Sequence, residues 1–156
     1  MTTSRAANEG DQVREHPKLG LNEGMTIKEI GWGLDVDELF RRRVQGLTDS
    51  PLVDEGYTPP VDAVLLWCRA TKNPSLRHGL RQAQAALSRS GFVWLLTPTP
   101  ESPRRVHPVQ IDTAALRTGF HVEAGPGIEL HRWIGTRLTR PPSPDIALVR
   151  CGALPR

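Results

Sequence analysis

Two short and almost uninterrupted apolar runs, Val61-Asp62-Ala63-Val64-Leu65-Leu66-Trp67 and Phe92-Val93-Trp94-Leu95-Leu96, constrain this chain more than any other feature. A strand with one face in water alternates apolar and polar residues. A run without alternation needs cover on both faces, the condition of a central strand in a parallel sheet. Between the runs, Leu76, Leu80, Ala83 and Leu87 recur at helical spacing, with Pro74 placed to open a helix and Gly91 to close it. Strand, helix and strand in this order define an α/β class.

The alternation extends to both sides. Residues 25–31 read as a first strand, and residues 35–45 as a helix with Val36, Leu39, Phe40, Val44 and Leu47 on one stripe. Asp35 and Glu38 have the spacing of a helix cap, and Gly46 stands where that helix would end. After Leu96, the stretch Thr97-Pro98-Thr99-Pro100 stops the ladder, because proline has no N–H to contribute. Residues 108–119 read as a third helix, and residues 120–123 and 128–138 as two more strands. In the last, Leu130, Arg132, Ile134 and Thr136 alternate with His131, Trp133, Gly135 and Arg137. Both faces are mixed, which suits an edge or antiparallel position.

A chain of 156 residues has room for one core. Residues 1–17 lack apolar periodicity and read as a disordered arm, residues 18–140 as one α/β domain, and residues 141–156 as a Pro-rich tail that docks a short strand at 146–149. No stretch approaches the roughly 18 apolar residues of a membrane span, and the N-terminus lacks a signal-peptide core. Two cysteines, Cys68 and Cys151, make no disulfide framework, so the expected location is cytoplasmic. The net charge of +3 is carried almost wholly by arginine. Arg41, Arg42 and Arg43 read as the solvated face of the first helix; with Arg104 and Arg105 they are the residues through which a nucleic acid would be held.

The chemistry-bearing candidates are few. Gly31-Trp32-Gly33 starts a G-x-G-x-x-G rhythm between strand and helix, then loses it at Leu34 and Asp35. A pyrophosphate needs the free N–H groups and positive dipole of a helix N-terminus, and a carboxylate at Asp35 repels it, so NAD and FAD are disfavoured. No serine sits in G-x-S-x-G, Cys68 has no neighbouring base, and His107, His121 and His131 lack metal-ligand spacing. Trp67 and Trp94 end adjacent strands and, with Trp32, are placed either to line a pocket at the carboxyl ends or to pack the core.

Several phrases carry a resemblance: Lys28-Glu29-Ile30-Gly31-Trp32, Leu52-Val53-Asp54-Glu55, Val64-Leu65-Leu66-Trp67, Trp94-Leu95-Leu96-Thr97-Pro98 and Gly135-Thr136-Arg137-Leu138. In their order and spacing the chain resembles a small family from high-GC Gram-positive bacteria known as a domain of unknown function. It departs from that pattern in charge at Gly33-Leu34 and at Arg69-Ala70-Thr71-Lys72, where relatives are acidic. More distantly, its strand order resembles the S-adenosylmethionine-dependent methyltransferase fold, with Leu116-Arg117-Thr118-Gly119-Phe120 as a late helix-to-strand corner.

The distant resemblance implies a cofactor edge formed by Glu29, Gly31, Trp32, Gly33, Asp54, Trp67 and Thr97. S-adenosylmethionine has a positive sulfonium and no phosphate, so an acidic turn at Glu29, Asp35 and Asp37 tolerates it. An acid for the ribose, Asp54 or Glu55, stands about twenty residues beyond the glycines. Yet only residues 56–60 then lead to the next central strand. About six peptide steps reach roughly 20 Å, whereas returning along a strand and crossing two neighbours needs about 22 Å. The expectation is therefore a truncated Rossmann-like, methyltransferase-like sheet of about five strands and three helices, mostly parallel with one antiparallel strand near its end. It would serve as a non-catalytic binding or regulatory module for a protein or small molecule, with no cofactor. The alternative is a small S-adenosylmethionine-dependent methyltransferase, or another small-molecule enzyme using the same edge.

Overall fold

The computed structural model describes residues 19–70, 75–125 and 127–141. The elements are β1 (Ile27–Ile30), α1 (Glu38–Thr48), β2 (Val61–Trp67), α2 (Leu76–Ala86), β3 (Leu87–Pro98), α3 (Pro108–Arg117), β4 (His121–Val122), β5 (Ile128–Glu129) and β6 (Trp133–Thr139). The expected arm, the helix-opening Pro74, the short strand at 146–149 and Cys151 lie outside the described residues.

The sheet runs β1-β2-β3-β6-β4, with β5 also on β6. β1, β2 and β3 are parallel; β6 is antiparallel to β3, β4 and β5. This is the expected class, a sheet parallel at its start and antiparallel at its end. On one face Val64, Leu66, Val93, Leu95 and Leu138 meet Leu80 and Ala83 of α2 and Ile111 and Ala115 of α3. On the other Ile27, Leu65, Trp67, Trp94 and Leu96 meet Phe40 and Val44 of α1 together with Leu19 and Leu21. Both central runs are thus covered twice, which is why neither alternates.

Several boundaries differ from expectation. α1 is capped by Asp37, whose carboxylate accepts the Phe40 N–H at 2.8 Å, and Asp35 lies ahead of it. The helix passes through Gly46 and ends at Asp49, which takes the left-handed conformation (φ 55°) that Asp tolerates and most residues do not. Its inward stripe is Phe40, Val44 and Thr48, four residues apart. Leu39 lies about 140° round the helix from Val44 and is 72% exposed, so it is not part of the core stripe. α2 ends at Ala86 instead of Gly91, and the chain enters β3 with no loop. Val61 pairs with Leu87 but Ala63 with Phe92, so five steps of β3 oppose two of β2. Gly91 belongs to that irregularity: a Cβ there would lie 3.1 Å from the Asp62 carbonyl oxygen and 2.7 Å from Leu87 Cδ2. Residues 128–138 are two strands joined by a turn, closed by Leu130 N–H donating to Trp133 O at 2.8 Å. β6 is interior, flanked on both sides.

Beyond β1 the sheet continues for a single residue. Val53 forms one parallel bridge to Lys28; its N–H donates to Ile27 O at 2.9 Å, and its carbonyl accepts from Glu29 N–H at 2.8 Å. The missing second strand is what the short 56–60 connection demands. No helix among the described residues is long and apolar enough to cross a membrane.

Candidate functional site

The chain leaves β1, passes through α1, touches the outer side of β1 at Val53, and then crosses to β2 on its inner side. That reversal makes the carboxyl ends of β1 and β2 the switch point, where open α/β sheets take their ligands. Gly31 stands there at φ +82°, and a Cβ on it would collide with the Trp67 carbonyl oxygen, so no other residue fits. Its N–H donates to a Glu55 carboxylate oxygen at 3.0 Å.

The crevice itself is filled by Arg69, two residues past β2, with its side chain only 3% exposed. One terminal nitrogen donates to Gly31 O at 2.8 Å. Nε donates to Asp35 Oδ2 at 2.9 Å, and the other terminal nitrogen pairs with Asp35 Oδ1, making a fork-on-fork contact. The guanidinium lies 5.0 Å from the Trp133 ring centroid. Trp133 in turn donates its Nε1–H to Asp35 O at 3.0 Å and meets Trp67 edge-on at 4.9 Å. Arg104 adds a second cation, 3.8 Å from Asp35 Oδ2. Hydrogen bonding from Arg69, then its charge and that of Arg104, hold the Asp35 carboxyl below its usual 3.8 despite partial burial. A Cβ on Gly33 would lie 3.1 Å from both Arg69 and Asp35, so the second glycine gives this pair its room.

The seven residues of the expected edge divide among different surroundings. Glu29 is 6% exposed and turns toward α1, accepting two hydrogen bonds from Arg41 at 2.7 Å and one from Trp67 Nε1 at 2.8 Å. Trp67 is fully buried against Phe40 and Trp133, and Trp94 lies mid-strand with its Nε1–H donating to Leu19 O at 2.9 Å, so both belong to the core. Trp32 is 52% exposed. Asp54 accepts from Gly56 N–H at 2.9 Å within its own turn, and the acid that reaches the glycines is Glu55. Thr97 lines a cavity of about 460 Å³ between β3, β6 and the start of α3, bounded by none of the other six. The five arginines are likewise apart: Arg41 is held by Glu29 and Glu38, Arg42 is exposed, Arg43 is half-buried, Arg104 faces Asp35, and Arg105 reaches Ser102 O at 3.5 Å. Burial pushes the Cys68 thiol up to about 11. Among the described residues no three His, Cys, Asp or Glu side chains converge as metal ligands would.

The sequence alone does not bring Arg69 and Trp133 to the site, and it sets Arg104 among nucleic-acid contacts instead of beside Asp35. The available signal was a pair of opposite charges, Asp35 and Arg69, each just beyond the carboxyl end of a neighbouring parallel strand.

In architecture this is a methyltransferase-like α/β sheet. The pyocyanin biosynthetic protein PhzM superposes with a TM-score of 0.55 at 14% identity, over 76% of this chain and 51% of that one. A SAM-dependent methyltransferase from Aquifex aeolicus superposes at 0.50 with 16% identity, over 77% and 84%. By sequence, the chain belongs to the family described as "Protein of unknown function (DUF3052)", matched over residues 16–142. The uncharacterized protein Rv2239c of Mycobacterium tuberculosis is 32% identical over 126 residues, covering 81% of this chain and 78% of that protein. The same figures hold for the uncharacterized protein Mb2263c of Mycobacterium bovis.

Proposed function

We propose that this chain is a binding or regulatory module on a reduced methyltransferase-like sheet, and that it does not transfer methyl groups. The observation that carries the reading is the Arg69–Asp35 pair closing the switch-point crevice. A sulfonium placed there meets a buried guanidinium whose one close counter-charge is already engaged, an arrangement that repels a cationic ligand. The adenosine side gives no compensation. A single bridge at Val53 stands where a second strand would carry the ribose-binding acid, and Glu55 is spent on Gly31 N–H. The module would work in the cytoplasm, which suits two cysteines without a disulfide framework.

Calorimetric titration of the full chain with S-adenosylmethionine and with S-adenosylhomocysteine tests this reading. No saturable heat is expected up to about 1 mM ligand, a concentration at which even a weak site of about 100 μM fills. A dissociation constant of about 10 μM or tighter for either ligand would overturn the proposal in favour of the methyltransferase alternative.

A further inference from the structure

We propose that the outer face of α3 is a docking surface and that its partner is an acidic amphipathic helix of another protein. This names the partner class of the module proposed above and rests on that reading.

The ten residues of α3 are patterned against their surroundings. At about 100° per residue, Ile111, Ala114 and Ala115 turn into the core, while Val109 and Leu116 fall about 20° apart on the opposite side. The helix thus spends two alanines inward and leaves a valine 72% exposed and a leucine 80% exposed. A helix with one buried face puts its larger aliphatic side chains inside, so this pattern is that of a helix with a second face to cover. The small inner residues also leave space beside it. The cavity of about 460 Å³ borders α3 at Pro108, Ile111 and Asp112, and a second of about 440 Å³ borders it at Val109, Thr113 and Arg117, with half-buried Val106 lining both. An apolar ridge between two open hollows is the relief into which the side chains of another helix interlock.

The charges set the sign of the partner. Arg77 and Arg117 both line the second cavity, whose remaining cation, Arg69, is already taken by Asp35, and no acid lines it. Arg77 stands in the first turn of α2, where the helix dipole disfavours a cation and no acidic residue offsets it. Among the described residues no carboxylate pairs with Arg77 or Arg117. Across both linings the one acid is Asp112, on the other flank of α3. A helix that lays leucine-like side chains along Val109 and Leu116 and brings carboxylates to the side of Arg77 and Arg117 answers both features, whereas a basic one meets repulsion there.

The test is fluorescence anisotropy of a labelled synthetic helix of about 18 residues, with leucine at every third or fourth position and glutamate elsewhere, titrated with the full chain, beside a twin in which lysine replaces every glutamate. The glutamate peptide should bind one to one and about tenfold or more tighter than the lysine twin. Val109→Ala combined with Leu116→Ala should weaken it about tenfold or more and melt no lower than the wild type, because both side chains are exposed and alanine favours a helix. Arg77→Glu combined with Arg117→Glu should invert the preference between the twins. Silence from both peptides, equal binding of the twins, a preference that the charge reversal does not move, or a lower melting temperature for the alanine variant would each overturn the assignment. Self-association in sedimentation that the alanine variant abolishes would also overturn it, giving the face to a second copy of this chain. Titration with S-adenosylmethionine separates the two readings. Saturable binding of that ligand would sink the module reading while the α3 surface stood, and silence from both peptides without such binding would sink the surface alone.

Discussion

Replacing Asp35 with alanine should strand the Arg69 guanidinium. In the folded chain Nε and one terminal nitrogen of Arg69 are taken by Asp35, and after the substitution its close acceptor is Gly31 O at 2.8 Å. Exposed ion pairs contribute about 0–1 kcal/mol, whereas removing one partner of a fully buried pair costs about 3–5 kcal/mol. This pair is asymmetric, with side-chain exposures of 3% for Arg69 and 33% for Asp35, so water can enter the space the carboxylate vacates. The cost should therefore fall between the two limits, at about 2–3 kcal/mol. In a chain of this size that corresponds to a fall in Tm of about 4–12 °C. Urea unfolding followed by tryptophan fluorescence measures it, and the double variant Asp35→Ala with Arg69→Met supplies the control. With the cation gone as well, the double variant should recover about 1–2 kcal/mol relative to Asp35→Ala alone. A single-variant loss below about 0.5 kcal/mol, or losses that simply add, would refute the view of Arg69 as a buried charge dependent on Asp35.

Because Arg69 holds the Asp35 carboxyl below 3.8, that group stays ionised in the folded chain where it would protonate in the unfolded one. Its stabilisation is complete above about pH 5 and is lost as pH falls through 3.8 toward the lower folded value, so the stability gap between wild type and Asp35→Asn should narrow below about pH 4. A gap that is unchanged at about pH 3 would contradict this. Gly31→Ala combines a left-handed backbone (φ +82°) with a clash on the Trp67 carbonyl, and a loss of at least about 3 kcal/mol is expected in thermal melts; a variant within about 1 kcal/mol of wild type would mean that the turn can relax. For Cys68, about 1% exposed with its thiol pushed up to about 11, iodoacetamide at about pH 8 should leave the Cys68 peptide unlabelled unless urea is added, and labelling within minutes in buffer would refute its burial.

The parts legible in the sequence were those written locally. The continuous runs at 61–67 and 92–96 require cover on both faces, and the structure supplies it from α2 and α3 on one side and from α1 with Leu19 and Leu21 on the other. The shortage of chain between Asp54 and Val61 is a length argument, and the lone Lys28–Val53 bridge agrees with it. Helix ends were less legible, because Gly46 and Gly91 carry the right residue type for other reasons: one rides within α1, the other passes close beneath Asp62 O. The crevice was not legible at all. Asp35 looks like a helix cap in its own neighbourhood, and its true partner Arg69 is 34 residues away, brought near only by the parallel pairing of β1 with β2.

A sheet that stops one strand after its switch point has an open margin, and open margins recruit other chains by strand addition. Here two outward N–H groups along β1 and its following turn are answered: Glu29 by the Val53 carbonyl and Gly31 by the Glu55 carboxylate, with Val53 N–H on Ile27 O between them. One residue and one acidic side chain thus act as a selvedge, finishing the fabric where a whole strand would otherwise be needed. Cover of this margin rests on the four residues from Leu52 to Glu55, so a substitution there is expected to raise edge-to-edge assembly, read by light scattering.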